Sequence, residues 1–330
     1  MDAALPSHAA PVDRHDDRIP GPGLNQNRPT PSSGAGPLFL EIFMITNRSM
    51  AALLIAASAT LSQAALGQEL QPLSEVLETT HVHGLASQEN TAEVLMATHH
   101  GLWSVNLDNE TAQLLGDSRD DFMGFSTHPT ENERYWASGH PIAGGNIGVI
   151  ESVDGGETWS KIAEGVGGPV DFHQMTVSGV NPEVLYGVHH GASLQTSTDA
   201  GRSWEEIGLL PDGIIDLAAS GISPDALYAA TNSGLFKSED AGRTWVRIYE
   251  TSAPVSSVHV DANGVHAFVL GVGVVHSPET ELDFAVVADD FDDTYLLHLT
   301  SMPEGGYVAA TDGGGLVLLS SDGTVDISIP

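Results

Sequence analysis

The chain has 330 residues, of which 44 are acidic and 11 are Lys or Arg, so its formal net charge is −33. This balance excludes binding to nucleic acid or to anionic membranes, because both need clustered basic side chains. Since 41% of the residues are hydrophobic and none is cysteine, the chain can bury a core but cannot form disulfides or thiolate metal sites.

The first 67 residues predict a leader that lies outside the fold. Residues 1–43 are rich in proline and lack an apolar period, which predicts disorder. Residues 44–67 have a positive start, a short apolar run and small residues, the pattern of a secretory signal peptide. Because a signal behind 43 polar residues makes little mechanical sense, we expect translation to start at Met44 and residues 1–43 to be a gene-model artefact.

The apolar run of the leader also bears on location. It is shorter than the roughly 20 residues that a membrane span needs. We therefore predict an exported, periplasmic or extracellular monomer whose mature chain has no membrane span.

From Thr80 onward one pattern recurs roughly every 40 residues, six times in all. Each unit holds four short apolar or alternating runs separated by Gly, Pro, Asn or Asp, which is typical of four strands. Repeats of this period indicate a ring or solenoid, and four-stranded units close into a propeller. The sequence therefore predicts an all-β fold, a six-bladed β-propeller of four-stranded antiparallel blades, in a single domain over residues 68–330.

Three of the units share the pattern Ser-x-Asp-x-Gly-x-x-Trp, which predicts a hairpin turn. Ser and Asp side chains bond backbone amides in turns, and Gly adopts a positive φ. The Trp then covers the turn. The residues are Ser152, Asp154, Gly156, Trp159, Ser197, Asp199, Gly201, Trp204, Ser238, Asp240, Gly242 and Trp245.

These three copies resemble the Asp-box (BNR) repeat of sialidases, sortilin-type domains and photosystem assembly-factor propellers. Residues 80–330 resemble the exported bacterial Asp-box proteins labelled glycosyl hydrolase-like. The resemblance implies that the boxes lie on the turn from third to fourth strand, opposite the active site, so their acids are structural. Sialidase chemistry needs three arginines that clamp a carboxylate. Since the five arginines after residue 68 mostly fall in or beside the boxes, we expect no sialidase activity.

Histidines gather at two equivalent places in units one to three. The first place, the start of the innermost strand, holds His81, His83, Asp121, Met123, Asp171 and His173. The second, the turn after the second strand, holds His99, His100, His140, His189 and His190. Because both places lie at the same end of a four-stranded blade, the sequence predicts a His-rich mouth of the central channel. There His81, His83, Met123, His140, His173, His189 and His190 would contact a small-molecule, glycan or protein ligand.

Three functions fit this mouth. In the first, His83, His99, His100 and His173 hold a divalent metal such as Zn or Cu, since neutral imidazole suits both ions. In the second, the protein is a glycoside hydrolase in which Asp121 and Asp171 face each other across a sugar.

Four aromatic side chains would then either stack on the sugar or, as is commoner for aromatics, belong to the blade core: Trp103, Trp136, Phe122 and Phe172. In the third, the propeller is a non-catalytic interaction or assembly scaffold. The insertion 141–146 lengthens the mouth loop and would either gate or contact a ligand or be a simple loop-length variant. The alternative for each histidine alone is that it lines a wet channel.

Overall fold

The structure is a computed structural model that describes residues 69–88, 93–211, 213–289, 291 and 294–329, without the side chains of 326–328. Both leader predictions, disorder over 1–43 and a signal peptide over 44–67, lie outside the described residues.

Alternating apolar strands pair antiparallel with their chain neighbours into six sheets, so the predicted six-bladed propeller of four-stranded blades is confirmed. Blades one to three comprise β2 Val82–Ser87, β3 Glu93–Thr98, β4 Gly101–Asn106, β5 Thr111–Leu115, β6 Asp121–Thr127, β7 Tyr135–His140, β8 Val149–Ser152, β9 Ser160–Ala163, β10 Gln174–Val177, β11 Leu185–His189, β12 Ser193–Ser197 and β13 Glu205–Leu209.

Blades four to six comprise β14 Ile214–Ala219, β15 Leu227–Thr231, β16 Gly234–Ser238, β17 Val246–Glu250, β18 Val255–Asp261, β19 Gly264–Val269, β20 Gly273–Ser277, β21 Ala285–Ala288, β22 Leu296–Ser301, β23 Tyr307–Thr311, β24 Leu316–Leu319 and β25 Val325–Ile329. The first strand of each blade is the innermost and the fourth the outermost. Inner strands therefore surround a central channel.

A short segment before the first blade covers the ring junction. Strand β1, Gln71–Pro72, pairs with β5 and adds a fifth, outer strand to blade one. Helix α1, Leu73–Leu77, buries its leucines in a core cluster that also contains Val308 and Leu316 of blade six. This packing buries apolar surface between the two blades that close the ring. Among the described residues, no helix is long and apolar enough to cross a bilayer.

Large side chains fill the space between neighbouring blades. Phe122, Phe172 and Trp136 are fully buried, and Trp103 is 6% exposed. Burying each such side chain stabilises the fold by roughly 1.5 to 3 kcal/mol. These four aromatics are core residues, so the expectation that they offer stacking faces to a sugar is wrong.

The Asp boxes form the turns between the third and fourth strands of blades two to four. In blade three, Ser197 Oγ donates to Asp199 Oδ1 at 2.8 Å and accepts from the Gly201 amide at 2.9 Å. Ser203 Oγ donates to Asp199 Oδ2 at 2.6 Å. This hydroxyl bond, ahead of the others, lowers the pKa of Asp199 to about 2. Thr158 and Thr244 make the same bond in the other boxes, a partner that the sequence pattern did not include.

Side chains of the inner strands link neighbouring blades around the channel. Five of the six junctions carry such a hydrogen bond between described residues. The bonds are Ser126 Oγ to Met175 O, 2.6 Å; Ala219 N to Thr176 Oγ1, 3.0 Å; Val258 N to Asp216 Oδ2, 2.9 Å; Ser256 Oγ to Leu296 O, 2.5 Å; and His298 to the Val82 carbonyl. The last of these joins blade six to blade one and closes the ring.

Candidate functional site

The predicted mouth brings together a first cluster of three side chains from blades one and two. His99 Nδ1 lies 3.1 Å from Asp121 Oδ2, and His83 Nε2 lies 3.5 Å from Asp121 Oδ1. The two imidazole rings meet edge to face, with centroids 4.3 Å apart. One ligand atom from each residue lies within 4.8 Å of the others, an arrangement able to hold a metal ion.

Local backbone features aim these side chains at one point. The pairing of β2 with β3 shifts register between Val82 and Gly84, so His83 sits in a bulge that re-aims its side chain. In blade two, Asp121 of β6 pairs with His140 of β7. Beside that pair, Gly139 has φ 121°, and a Cβ there would lie 2.1 Å from the Asp121 carbonyl oxygen. A side chain at this position would displace Asp121, so the site depends on glycine.

The first cluster is poorly satisfied by hydrogen bonds. His83 Nε2 and Asp121 Oδ1 are buried atoms without a hydrogen-bond partner, although they face each other. Burial, followed by the nearby imidazoles of His99, His298, His173 and His81, lowers the pKa of His83 to about 3. The ring is therefore neutral at pH 7 and keeps a lone pair for a ligand.

A second cluster surrounds Asp171 at the start of blade three. His189 Nδ1 lies 3.2 Å from Asp171 Oδ1, while His140 and His173 place their Nε2 atoms 3.8 and 3.9 Å from Oδ2. His190 lies beside His189, with ring centroids 3.8 Å apart. Asp171 Oδ1 and His189 Nδ1 are close but poorly aligned, and neither has a hydrogen-bond partner.

The insertion at residues 141–146 sets the tautomer of one of these rings. His140 Nδ1 lies 3.0 Å from the Gly145 carbonyl oxygen, and since a carbonyl only accepts, Nδ1 carries the proton. Whenever this ring is neutral, its lone pair is therefore on Nε2, which faces Asp171. Asp120 Oδ1 anchors the loop by accepting from the Ile142 amide at 2.9 Å. Metal-ligating histidines usually have such a second partner on the other ring nitrogen.

Three predicted residues lie outside the two clusters. His81 is exposed, with its ring centroid 5.3 Å from that of His99. His100 is exposed, and its ring centroid lies 6.5 Å from that of His99. Contrary to the prediction, it does not belong to the group of candidate metal ligands formed by His83, His99 and Asp121. Met123 is only 6% exposed and packs in the interior, where it offers the mouth little surface. His173, expected to act with His83, groups with Asp171 instead.

The channel behind the mouth contains titratable groups that sequence reasoning missed. A cavity of about 680 Å³ is lined by His83 and His173 and, from blades four to six, by Asp216, His259 and His298. Burial raises the pKa of Asp216 to about 7 and lowers the pKa of both His259 and His298 to about 4. Asp216 and His298 follow bulges in their strands. An alignment of the repeats that allows one extra residue at each bulge would have indicated Asp216 and His298.

The part of the chain that matches a known family contains all three Asp boxes. A sequence profile described as Photosynthesis system II assembly factor YCF48 matches residues 136–321. No curated protein matches the chain. Among solved structures, the propeller resembles the GH74 xyloglucanase from Xanthomonas campestris, with a TM-score of 0.54 and 18% identity over 75% of this chain. The chain spans 38% of that enzyme's length.

Two further solved structures are similar. One, from a nidogen/laminin complex, has a TM-score of 0.55 and 10% identity over 72% of this chain and 92% of its own. The other, described as YCF48 bound to D1 peptide, has a TM-score of 0.44 and 17% identity over 63% of this chain and 68% of its own. At these identities the structural likeness shows the propeller fold alone.

Proposed function

Because this chain belongs to the Photosynthesis system II assembly factor YCF48 family, we propose that it is a binding platform for another protein. The ligand binds at the His-rich mouth of the channel, where His83, His99 and Asp121 hold a divalent metal ion. The proposal extends the family's assembly role with a metal centre built from residues of blades one and two.

The observation that carries the proposal is the pair of unsatisfied atoms His83 Nε2 and Asp121 Oδ1. An imidazole lone pair and a carboxylate oxygen that face each other at 3.5 Å repel, and a cation between them removes that repulsion. Tetrahedral zinc, with bonds of about 2.0 to 2.1 Å, separates its N and O ligands by about 3.4 Å. His99 Nδ1 lies 3.1 Å from Asp121 Oδ2 and His83 Nε2 lies 3.5 Å from Oδ1. Each separation is close to that value, with a different carboxylate oxygen in each pair.

The donor set favours Zn²⁺ over Cu(I), because two imidazoles and a carboxylate suit Zn²⁺ whereas Cu(I) prefers sulfur ligands. Met123, the thioether predicted to lie at the mouth, is buried. Three protein ligands leave a fourth position open, as in zinc sites that take up a further ligand. A donor atom from the partner protein would occupy that position, so binding of the partner depends on the metal.

Metal analysis of untagged mature protein tests the site. We expect stoichiometric zinc after dialysis against buffered Zn²⁺, and His83→Ala or Asp121→Asn is expected to weaken zinc affinity at this site at least 100-fold. Isothermal titration with Zn²⁺ gives the affinity, and melting curves give the rise in Tm that ligand binding to the native state produces.

The matched control is His128→Gln in the same blade as Asp121. His128 packs on Trp136, with ring centroids 5.7 Å apart, and lies outside the mouth clusters. This variant should keep the zinc affinity of the wild type even where its melting temperature falls. Unchanged zinc binding in His83→Ala and Asp121→Asn would rule out the proposed ligands.

Glycoside hydrolysis is the second candidate, favoured by one observation. Asp216 lines the cavity behind the mouth with its pKa raised to about 7 by burial, as a proton donor requires. Asp121 or Asp171 would then act as the base or nucleophile. We expect Asp216→Asn to abolish turnover of any glycan that the wild type cleaves, with Asp225→Asn as an exposed control. A wild type that releases no reducing ends from a panel of polysaccharides would dispose of this candidate.

A further inference from the structure

We propose that Asp171 is the bridging carboxylate of a second centre that holds two divalent ions. One ion binds Oδ2 with His140 and His173, and the other binds Oδ1 with His189 and His190. This centre uses none of the residues of the first cluster, so it stands or falls independently of the proposed function.

The Oδ2 side has the geometry of an open metal site. His140 Nε2 and His173 Nε2 lie 3.8 and 3.9 Å from Asp171 Oδ2, too far for a hydrogen bond of normal length. Because Gly145 fixes the proton of His140 on Nδ1, a lone pair faces the carboxylate across this gap. A cation between the two atoms converts that unfavourable contact into two bonds. A contraction of a few tenths of an ångström would reach the ligand separation of about 3.4 Å in tetrahedral zinc.

The Oδ1 side has its own set of ligands. His189 Nδ1 lies 3.2 Å from Asp171 Oδ1, yet both atoms are buried without a hydrogen-bond partner. His190 has φ 53°, in the left-handed region that a residue with a side chain seldom adopts. This conformation brings its ring beside that of His189, and both can join Asp171 within 4.8 Å. Backbone strain of this kind is often kept where it positions a functional group.

The arrangement around Asp171 is better explained by two ions than by hydrogen bonding. Four imidazoles compete for one carboxylate, and three of them approach it at 3.2 to 3.9 Å rather than at the 2.7 to 2.9 Å of charge-assisted bonds. A carboxylate that bridges two cations, each with two imidazoles, uses all five side chains. The net charge of −33 on the chain favours the accumulation of cations at this mouth.

Ion counting and copper spectroscopy on the full-length protein test the bridge. We expect Asp171→Asn to lose two equivalents of zinc relative to the wild type, and His140→Gln and His189→Gln to lose one each. With Cu²⁺ in place of zinc, the bridged pair should give magnetic coupling in electron paramagnetic resonance. Either single-histidine variant should replace the coupled signal with the signal of one isolated Cu²⁺ ion, in addition to any signal from the first cluster.

The control is His276→Gln, in blade five. The His276 ring donates a hydrogen bond to the Asn263 carbonyl at 3.2 Å and lies outside both clusters. This variant should keep the wild-type ion count and the coupled spectrum. Loss of fewer than two ions in Asp171→Asn, or two uncoupled Cu²⁺ ions in the wild type, would refute the bridge. If Asp171→Asn does not fold, the His140→Gln and His189→Gln spectra decide the question alone.

Discussion

Replacing Glu279 with alanine is expected to lower the free energy of unfolding by about 3 kcal/mol or more, since removal of one partner leaves several buried groups unpaired. Glu279 lies in blade five at the position of a degenerate Asp box, but it reaches across to blade four. Its carboxylate accepts from Ser220 Oγ, from the Gly221 amide at 2.8 Å and from Tyr228 Oη at 3.0 Å.

This carboxylate is a link between two blades rather than a turn element. The Glu279 residue is 7% exposed, so water does not replace its hydrogen bonds when it is removed. Burial, followed by the negative charge of Glu279, raises the pKa of Tyr228 well above its ordinary value. The Tyr228 hydroxyl therefore stays protonated, and like the Ser220 hydroxyl it donates to this acceptor.

Urea unfolding and calorimetric melting measure the effect. A loss of 3 kcal/mol in a domain of this size corresponds to a fall of about 6 °C in Tm. Glu279→Gln is expected to lose less, because its amide oxygen keeps one acceptor. The exposed neighbour Glu281 provides the matched control Glu281→Ala, with a change within about 0.5 kcal/mol. Equal stabilities of Glu279→Ala and Glu281→Ala would show that the link between the blades carries no net energy.

The second large effect is a pH-dependent contribution of Asp216 to stability. Burial in the channel wall raises the pKa of its carboxyl from 3.8 to about 7, despite amide donors from Val258 and Leu217. Between about pH 4 and pH 7, the folded chain holds a proton that the unfolded chain has released. Stability contributed by this group is therefore full at low pH and falls as the pH rises through that window.

The expected slope is about 1.4 kcal/mol for each pH unit inside the window, with a total of about 4 kcal/mol. Asp216→Asn removes this titration but keeps only one acceptor for the two amides that face it. We therefore expect the variant to be less stable than the wild type at pH 5 and to recover by about 3 kcal/mol relative to the wild type at pH 8.

Urea unfolding at pH 5 and at pH 8 checks this difference. Comparing variant with wild type cancels the opposite contributions of His259 and His298, whose lowered pKa values cost stability as the pH falls. Asp225→Asn, at an exposed site in the same blade, should show the same offset at both pH values. A constant offset for Asp216→Asn would mean that the folded protein does not hold this proton.

The propeller could be predicted from the sequence because its determinants are local and repeated. Three boxes in register marked equivalent turns, and alternating apolar runs marked the strands between them. The family match confirms the resemblance to photosystem assembly-factor propellers that the boxes carried. The N-terminal strand was harder to predict, because β1 is only two residues long and its pairing with β5 is set by contacts across the ring junction.

The candidate site was predictable only in outline. Placing histidines at the start of the inner strands and at the second turns located both clusters, since those positions recur with the repeat. Bulges decide which side chains then face each other, and they leave no mark in the alternation of residues. The register shift between Val82 and Gly84 re-aims His83. Met123 is buried, and His173 groups with Asp171 rather than with His83.

The sequence by itself determined the number of blades, the strands in each and the end of the channel where imidazoles gather, because these follow from periodicity within one unit. Only the tertiary structure decided the grouping of ligands around Asp121 and Asp171, the proton held near Asp216 and the reach of Glu279 into blade four. The physical reason is that these properties depend on desolvation and on distances between neighbouring blades, and ring closure sets both.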